Sequence, residues 1–308
     1  MTTRPTGATP PDPVHPDLRR IAPWLPRGPI GPRSIGVIRA LGGLSGGKAT
    51  GGVTVESVGA VSVRLHGPLA SLTPRPALLW IHGGGYVIGS AAQDDAVCRH
   101  FAERLGIVVA AVDYRLAPEH AFPVPLHDCY DALKWLARQP SVDATRLAVG
   151  GASAGGGLAA GLALLARDRG ELPLAFQLLS YPMLDDRTTL RTDIDERNFR
   201  LWNNRSNRFG WQSYLGVAPG SDGVDGTAAP ARASDLSGLP PAWLGVGTLD
   251  LFYDEVLDYA ARLDRAGVAS QLDVVDGAFH GFDSVRATAG VSRAYRAAQV
   301  AALAAALR

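Results

Sequence analysis

Ser153 stands in Gly151-Ala152-Ser153-Ala154-Gly155, after the apolar run Leu147-Ala148-Val149 and before Gly156-Gly157-Leu158-Ala159-Ala160. A serine thrown up at a sharp strand-to-helix turn can act as a nucleophile, because the first N–H groups of the following helix face the place where negative charge develops. Glycine two residues to either side suits that turn, since a side chain there would strike the adjacent backbone. The bland alternative is a helix start built from small residues. A second rival, Gly155-Gly156-Gly157-Leu158-Ala159-Ala160, fits the loose GxGxxA dinucleotide fingerprint. Its glycines lie beyond the strand, and no acidic residue ends a well-placed following strand.

A hydroxyl is a weak nucleophile, and acyl transfer asks for three further groups: a base, an acid that orients the base, and donors for the oxyanion. His82-Gly83-Gly84-Gly85 closes the apolar run Ala77-Leu78-Leu79-Trp80-Ile81 and can bring bare N–H groups to a substrate. The predicted oxyanion donors are Gly83, Gly84 and Ala154, with His82 holding the loop's conformation and Tyr86 forming a pocket wall. For the base, His280 follows the last strand-like run in the loop Asp276-Gly277-Ala278-Phe279-His280-Gly281-Phe282. His15, His66, His100, His120 and His127 are read as surface or structural. Asp250 follows the preceding strand-like run, in the chain order Ser, acid, His. Asp254 is read as favourable charge at a helix start, and Asp276, four residues from His280, is too near in sequence to reach the far ring nitrogen.

Positioning such groups needs a large rigid scaffold, and 308 residues with 46% apolar and 19% charged side chains can supply one. That composition excludes a disordered or collagen-like chain. Thirty basic against 29 acidic residues leave a formal charge of +1, too even a balance to steer a nucleic acid. Two cysteines, Cys98 and Cys129, make no disulfide framework and no metal-binding pattern; they are read as buried thiols. The first residues lack an apolar signal core, and no apolar stretch approaches the ~20 residues of a bilayer span. A soluble, cytoplasmic protein without stable membrane association is expected.

Short apolar runs at 77–81, 107–112, 147–149, 174–179, 242–246 and 271–275 alternate with helical stretches such as 94–105 and 126–138. This rhythm predicts an α/β fold, a mostly parallel sheet with helices on both faces. Residues 53–65 read as a hairpin turning near Gly59 and adding an antiparallel edge. Nine of the 22 prolines fall within the first 33 residues, which predicts a peripheral arm. Gly42 to Gly52 reads as a flexible link; its partial phosphate-loop pattern ends on Ala49 after Lys48 where Ser or Thr is needed. Between residues 183 and 226 the rhythm stops in a polar segment dotted with Phe199, Trp202, Phe209, Trp211 and Tyr214. Such an insertion after a strand would lie above the carboxyl ends of the sheet as a helical cap. Its rival reading is a surface helical pair packed on the body. The expected organisation is an arm at 1–52 contributing to the cap, a core at 53–182, the cap at 183–226 and the rest of the core at 227–308. Trp202, Phe209, Trp211 and Tyr214 join Tyr86 as expected substrate-binding residues.

With these residues placed, the chain resembles the hormone-sensitive-lipase-like, bacterial family IV branch of the α/β-hydrolase carboxylesterases. The marks are HGGGYVIGS at 82–90, DYRLAPEHAFPVP at 113–125, GASAGG at 151–156, DLFYDE at 250–255 and HGF at 280–282. The resemblance implies an α/β-hydrolase fold, a cap, a Ser153-Asp250-His280 triad, no cofactor or metal, and short- to medium-chain esters as substrates. Because many members are dimers, it also raises a homodimer. Ala152 departs from the usual Asp or Thr before the nucleophile, Leu251 from the proline after the acid, and Gly157 from an asparagine. Tyr114, Arg115 and Glu119 are read as structural support of their turn. The expected activity is that of a serine carboxylesterase on small ester substrates. An amidase or deacetylase of a small natural product would use the same apparatus, and a non-catalytic receptor of this fold is the rival from another class, disfavoured by the presence of His280.

Overall fold

The computed structural model describes residues 12–45, 52–71 and 73–308. Strands β1 (Thr54–Val58), β2 (Val61–His66), β3 (Arg75–Ile81), β4 (Val108–Asp113), β5 (Val142–Ala152), β6 (Phe176–Ser180), β7 (Ala242–Leu249) and β8 (Ser270–Phe279) form one sheet. Their order is β1-β2-β4-β3-β5-β6-β7-β8. β2 runs antiparallel to β1 and β4, and the strands from β4 to β8 pair parallel throughout. The helices are α1 (Ile35–Ser45), α2 (Asp95–Leu105), α3 (Val124–Ala137), α4 (Ala154–Arg169), α5 (Asn204–Leu215), α6 (Tyr253–Arg265), the short α7 (Phe282–Val285) and α8 (Gly290–Ala306). α2 packs with α8 and α3 with α4, as expected when parallel crossovers cover both faces of a sheet.

This layering explains the strand sequences. β3 is buried at every position from Pro76 to Ile81; a strand covered on both faces must be apolar throughout instead of alternating. β8, at the sheet's edge, alternates over much of its length. Helix α4 is buried almost all round, and its small residues permit this. A Cβ at Gly157 would stand 2.1 Å from the Met183 carbonyl oxygen, and one at Gly161 would stand 2.2 Å from that of Thr227. The hairpin turns at Gly59, whose φ of +58° suits glycine.

The arm folds in short pieces, local turns over residues 15–25 and then α1, and its remaining backbone groups find partners elsewhere. His15 N–H donates to the Gly277 carbonyl at 2.8 Å and Leu201 N–H to that of Pro26 at 2.7 Å. Arg200 Nε donates to the Ala22 carbonyl at 2.6 Å, and Ser206 Oγ to that of Ile30 at 2.9 Å. Leu18 and Ile30 are thereby buried. One expectation needs correction: α1 continues through Gly42–Ser45, where a flexible link was expected, because the Ile35–Leu41 stretch carries the helix into a last turn that tolerates glycine. Residues 46–51, with Lys48 and Ala49, and residues 1–11 lie outside the described residues. The segment 183–226 has short 3-10 turns at Asp186–Leu190 and Glu196–Asn198 and then α5. Asn203 caps α5 by accepting from Ser206 N–H at 3.0 Å, and Gly216 closes it at φ +70°. Among the described residues, no helix is long and apolar enough to cross a membrane.

Candidate active site

Ser153 joins β5 to α4 at φ 57° and ψ −122°, a conformation that a non-glycine residue holds only when its surroundings enforce it. Here they do. Ser153 N–H donates to the Ser180 carbonyl at 2.9 Å, and its own carbonyl accepts from Gly157 N–H and Met183 N–H, each at 3.0 Å. The flanking glycines are steric necessities. A Cβ at Gly151 would lie 2.4 Å from the Gly155 oxygen, and one at Gly155 would lie 2.0 Å from that of Ile81.

His280, at the end of β8, reaches the serine. Its Nε2 lies 2.9 Å from Ser153 Oγ and its Nδ1 lies 2.8 Å from Asp250 Oδ2. An ionised carboxylate can only accept, so the Asp250 contact puts the ring proton on Nδ1 and leaves Nε2 free to take the serine proton. The Asp250 side chain is fully buried. Its other oxygen, Oδ1, accepts from Phe252 N–H at 3.0 Å, which fixes the carboxylate's rotation. Three rings enclose the imidazole: Tyr181 edge-on at 4.9 Å, Phe252 edge-on at 5.2 Å and Trp202 at 6.5 Å between centroids.

The loop at residues 82–85 runs beside this line, and a Cβ on Gly83 would stand 3.3 Å from that of Ser153. Two of its carbonyls are held. The His82 carbonyl accepts from Tyr114 O–H at 3.1 Å, and the Gly83 carbonyl accepts from His82 Nδ1 at 2.8 Å. In a trans peptide C=O and N–H point opposite ways, so holding these carbonyls turns the N–H groups of Gly83 and Gly84 to the other side. No backbone hydrogen bond among the described residues uses the N–H of Gly83, Gly84 or Ala154; Ala154, as first residue of α4, has no intrahelical acceptor. Burial holds His82 below the ordinary imidazole range, so it stays neutral and stacks on Tyr114 at 4.3 Å.

The expected pocket residues divide. Trp202 covers Gly85, where a Cβ would come within 2.1 Å of its ring, and it faces His280. Phe209 is half-buried. Tyr86, Trp211 and Tyr214 were expected to line the pocket, and the structure corrects this. All three are fully buried, with Tyr86 stacked on Tyr214 at 4.0 Å and tilted against Trp211 at 5.3 Å. The three rings form a packed support behind the loop because Tyr86, at φ +66°, turns its side chain inward. Tyr114, Arg115 and Glu119 do not form one cluster. Arg115 forks onto Asp128 at 2.7 Å and Glu119 pairs with Arg39 of the arm at 2.8 Å. Asp254 pairs with Arg191, and Asp276 accepts from Thr248 Oγ1 at 3.2 Å. Cys98 and Cys129 are buried free thiols, raised well above the usual thiol range by burial. Among the described residues, no group of three or more His, Cys, Asp or Glu is placed to hold a metal ion.

The sequence reading missed Tyr181. At φ +34° it donates its O–H to Asp283 at 2.7 Å while its ring edge meets His280. Its place directly after β6 was the available signal, since loops at the carboxyl ends of parallel strands border the site.

Residues 78–284 match the family described as alpha/beta hydrolase fold. Esterase LipI of Mycobacterium tuberculosis is 35% identical over 210 residues, 67% of this chain and 65% of that protein, so the match spans just under two thirds of its length. Carboxylesterase NlhH of the same organism is 36% identical over 241 residues, 72% of this chain and 71% of that protein. A solved bacterial heroin esterase superposes with a TM-score of 0.86 at 40% identity, covering 96% of this chain and 98% of that one.

Proposed function

The chain belongs to the alpha/beta hydrolase fold family, in its hormone-sensitive-lipase-like carboxylesterase branch, and from that premise we propose a serine carboxylesterase acting on short- to medium-chain acyl esters. One observation carries the reading: the continuous contact from Ser153 Oγ through His280 to Asp250, at 2.9 and 2.8 Å, beside the Gly83–Gly84 backbone. Ser153 attacks the ester carbonyl as His280 Nε2 takes its proton. The oxyanion then accepts from the N–H groups of Gly83, Gly84 and Ala154. His280 returns the proton to the departing alcohol, and water activated by the same nitrogen releases the acid from the acyl-enzyme. Asp250 holds the tautomer and stabilises the imidazolium. Trp202 walls the acyl side, and Tyr86, Trp211 and Tyr214 support the loop from behind.

In the same reading the arm, 1–52, and the insertion, 183–226, form one cap over a core of 53–182 and 227–308; the bonds from 200–206 to arm carbonyls support it. A homodimer through the sheet edge is supported by the place of β8 as the last strand of the sheet; sedimentation across a concentration series tests it. The activity is tested with p-nitrophenyl acetate and butyrate. The wild type is expected to turn over both and to take up one fluorophosphonate at Ser153, whereas Ser153→Ala loses both properties. Undiminished hydrolysis in Ser153→Ala overturns the assignment. Labelling without turnover points to the receptor, and faster cleavage of matched acetamides than of acetate esters points to the amidase.

A further inference from the structure

Arg39, on α1 of the arm, makes three bonds in three directions. Its Nε donates to the Val87 carbonyl at 2.7 Å, its Nη2 to the Ala117 carbonyl at 2.5 Å and its Nη1 to Glu119 Oε1 at 2.8 Å. We propose that Arg39 is a positioning residue for the oxyanion loop, fixing from the arm the turn that presents the Gly83 and Gly84 N–H groups; the inference rests on the ester-hydrolysis reading.

The connection runs through two peptide groups. The 87–88 peptide gives its carbonyl to Arg39 and its N–H, that of Ile88, to the Gly84 carbonyl at 3.0 Å; Val87 N–H reaches the same oxygen at 3.1 Å. The 86–87 peptide is held one step removed, since the Tyr86 carbonyl accepts from Ala117 N–H at 3.0 Å and Arg39 grips the carbonyl of Ala117. The 86–87 group directly follows Tyr86, a non-glycine residue at φ +66°, and the 87–88 group lies one residue further on. A residue in that region costs about 1–3 kcal/mol and stays there only while its neighbours enforce it. Arg39 is therefore part of the enforcement: without it, Tyr86 can relax toward negative φ and carry the Gly84 turn with it. The planar fork matters, because the three acceptors are met by three separate guanidinium nitrogens, whereas an ammonium offers its three donors from a single atom.

The test uses the full chain, p-nitrophenyl acetate and an alkyl trifluoromethyl ketone, whose adduct with Ser153 bears the oxyanion. A misplacement near 1 Å can cost about 100-fold in rate. For Arg39→Gln, kcat is expected to fall about 10- to 100-fold with KM little changed, and ketone affinity to fall by the same factor as kcat/KM. Arg39→Lys should fall between Gln and the wild type, and methylguanidinium should restore part of the lost kcat to Arg39→Gln. Glu119→Gln, which leaves both carbonyl bonds in place, should stay within about twofold. Unchanged kcat in Arg39→Gln, or a raised KM with undiminished ketone affinity, overturns the inference and leaves Arg39 as a tie between the arm and the body. Should Arg39→Gln not fold, Arg39→Lys decides by the same ratio of ketone affinity to kcat/KM. A wild type without esterase activity is a separate outcome, since it removes the reading beneath the inference.

Discussion

Asp250 can be altered without emptying the site. Asparagine is isosteric and still accepts from Phe252 N–H through its oxygen. An amide NH2 turned to His280 would instead favour the tautomer with the proton on Nε2, where it cannot receive the serine proton. Asp250→Asn is expected to lower kcat by about 10⁴-fold, by analogy with serine proteases, with little change in melting temperature; a loss below tenfold would show that the carboxylate is not the orienting group. At Gly155 the constraint is steric. Alanine there would meet the Ile81 and His82 carbonyl oxygens at 2.0 and 2.5 Å, and backbone atoms cannot swing aside. Gly155→Ala should cost roughly 1–3 kcal/mol in chemical denaturation and lower kcat together with stability. These residues were legible in the sequence because their constraints are local: glycines two positions from a serine, and an acid and a histidine each directly after a strand. Tyr181 and Arg39 were not legible, because what they hold is set by segments about 50 to 100 residues away that only the folded sheet brings together.

At the scale of elements, the insertion after β6 is tied to the helix that follows Asp250. Glu255, on α6, accepts from Leu184 N–H at 2.7 Å and also meets Asp185 N–H and Thr188 Oγ1. Met183, next in line, donates to the Ser153 carbonyl, so one buried carboxyl links the acid's helix to the nucleophile's turn. Burial pushes the Glu255 carboxyl well above its ordinary 4.5, so the folded state favours its protonated form. A group raised in this way contributes stability that is complete below pH 4.5 and is lost as pH climbs through the raised folded value. The Glu255→Gln substitution would keep an acceptor for Leu184 N–H, reverse the Thr188 bond so that the hydroxyl accepts from the amide, and remove the titration. The melting temperature of Glu255→Gln minus that of the wild type should therefore grow as pH rises from 4.5; parallel curves would refute the link between burial and protonation. The strands themselves were easy to read, since burial on both faces leaves uninterrupted apolar runs. The insertion was harder. Its aromatic spacing marked buried faces, but periodicity does not distinguish a ring that faces a ligand from one that packs behind a loop, and Trp211 and Tyr214 do the latter.

Across the whole molecule, the arm is the element least like its sequence pattern and most dependent on distant partners. A proline-rich chain forms only short helical pieces, here turns over residues 15–25 and then α1, so composition announces an arm without saying where it lies. The structure routes it past Gly277 and along 200–206 to the loop behind Gly85, burying Val14, Leu18, Ala22 and Ile30 on the way. Truncating a buried leucine such as Leu18 to alanine costs about 2–5 kcal/mol, so deleting residues 1–34 should lower the melting temperature by several degrees. The deletion also strips the Leu201 N–H of its acceptor on Pro26 and Arg200 of its acceptor on Ala22. Hydrogen exchange at Leu201 should therefore accelerate strongly, while the central strands β3 to β6, which among the described residues take no bond from the arm, keep their protection relative to global unfolding. Trp202 adjoins Leu201 and faces His280, so loosening here should raise KM for butyrate esters more than for acetate esters, whose acyl group reaches less far along that wall. Equal KM for both esters, or unchanged exchange at Leu201, would show that the arm stabilises the body without shaping the site.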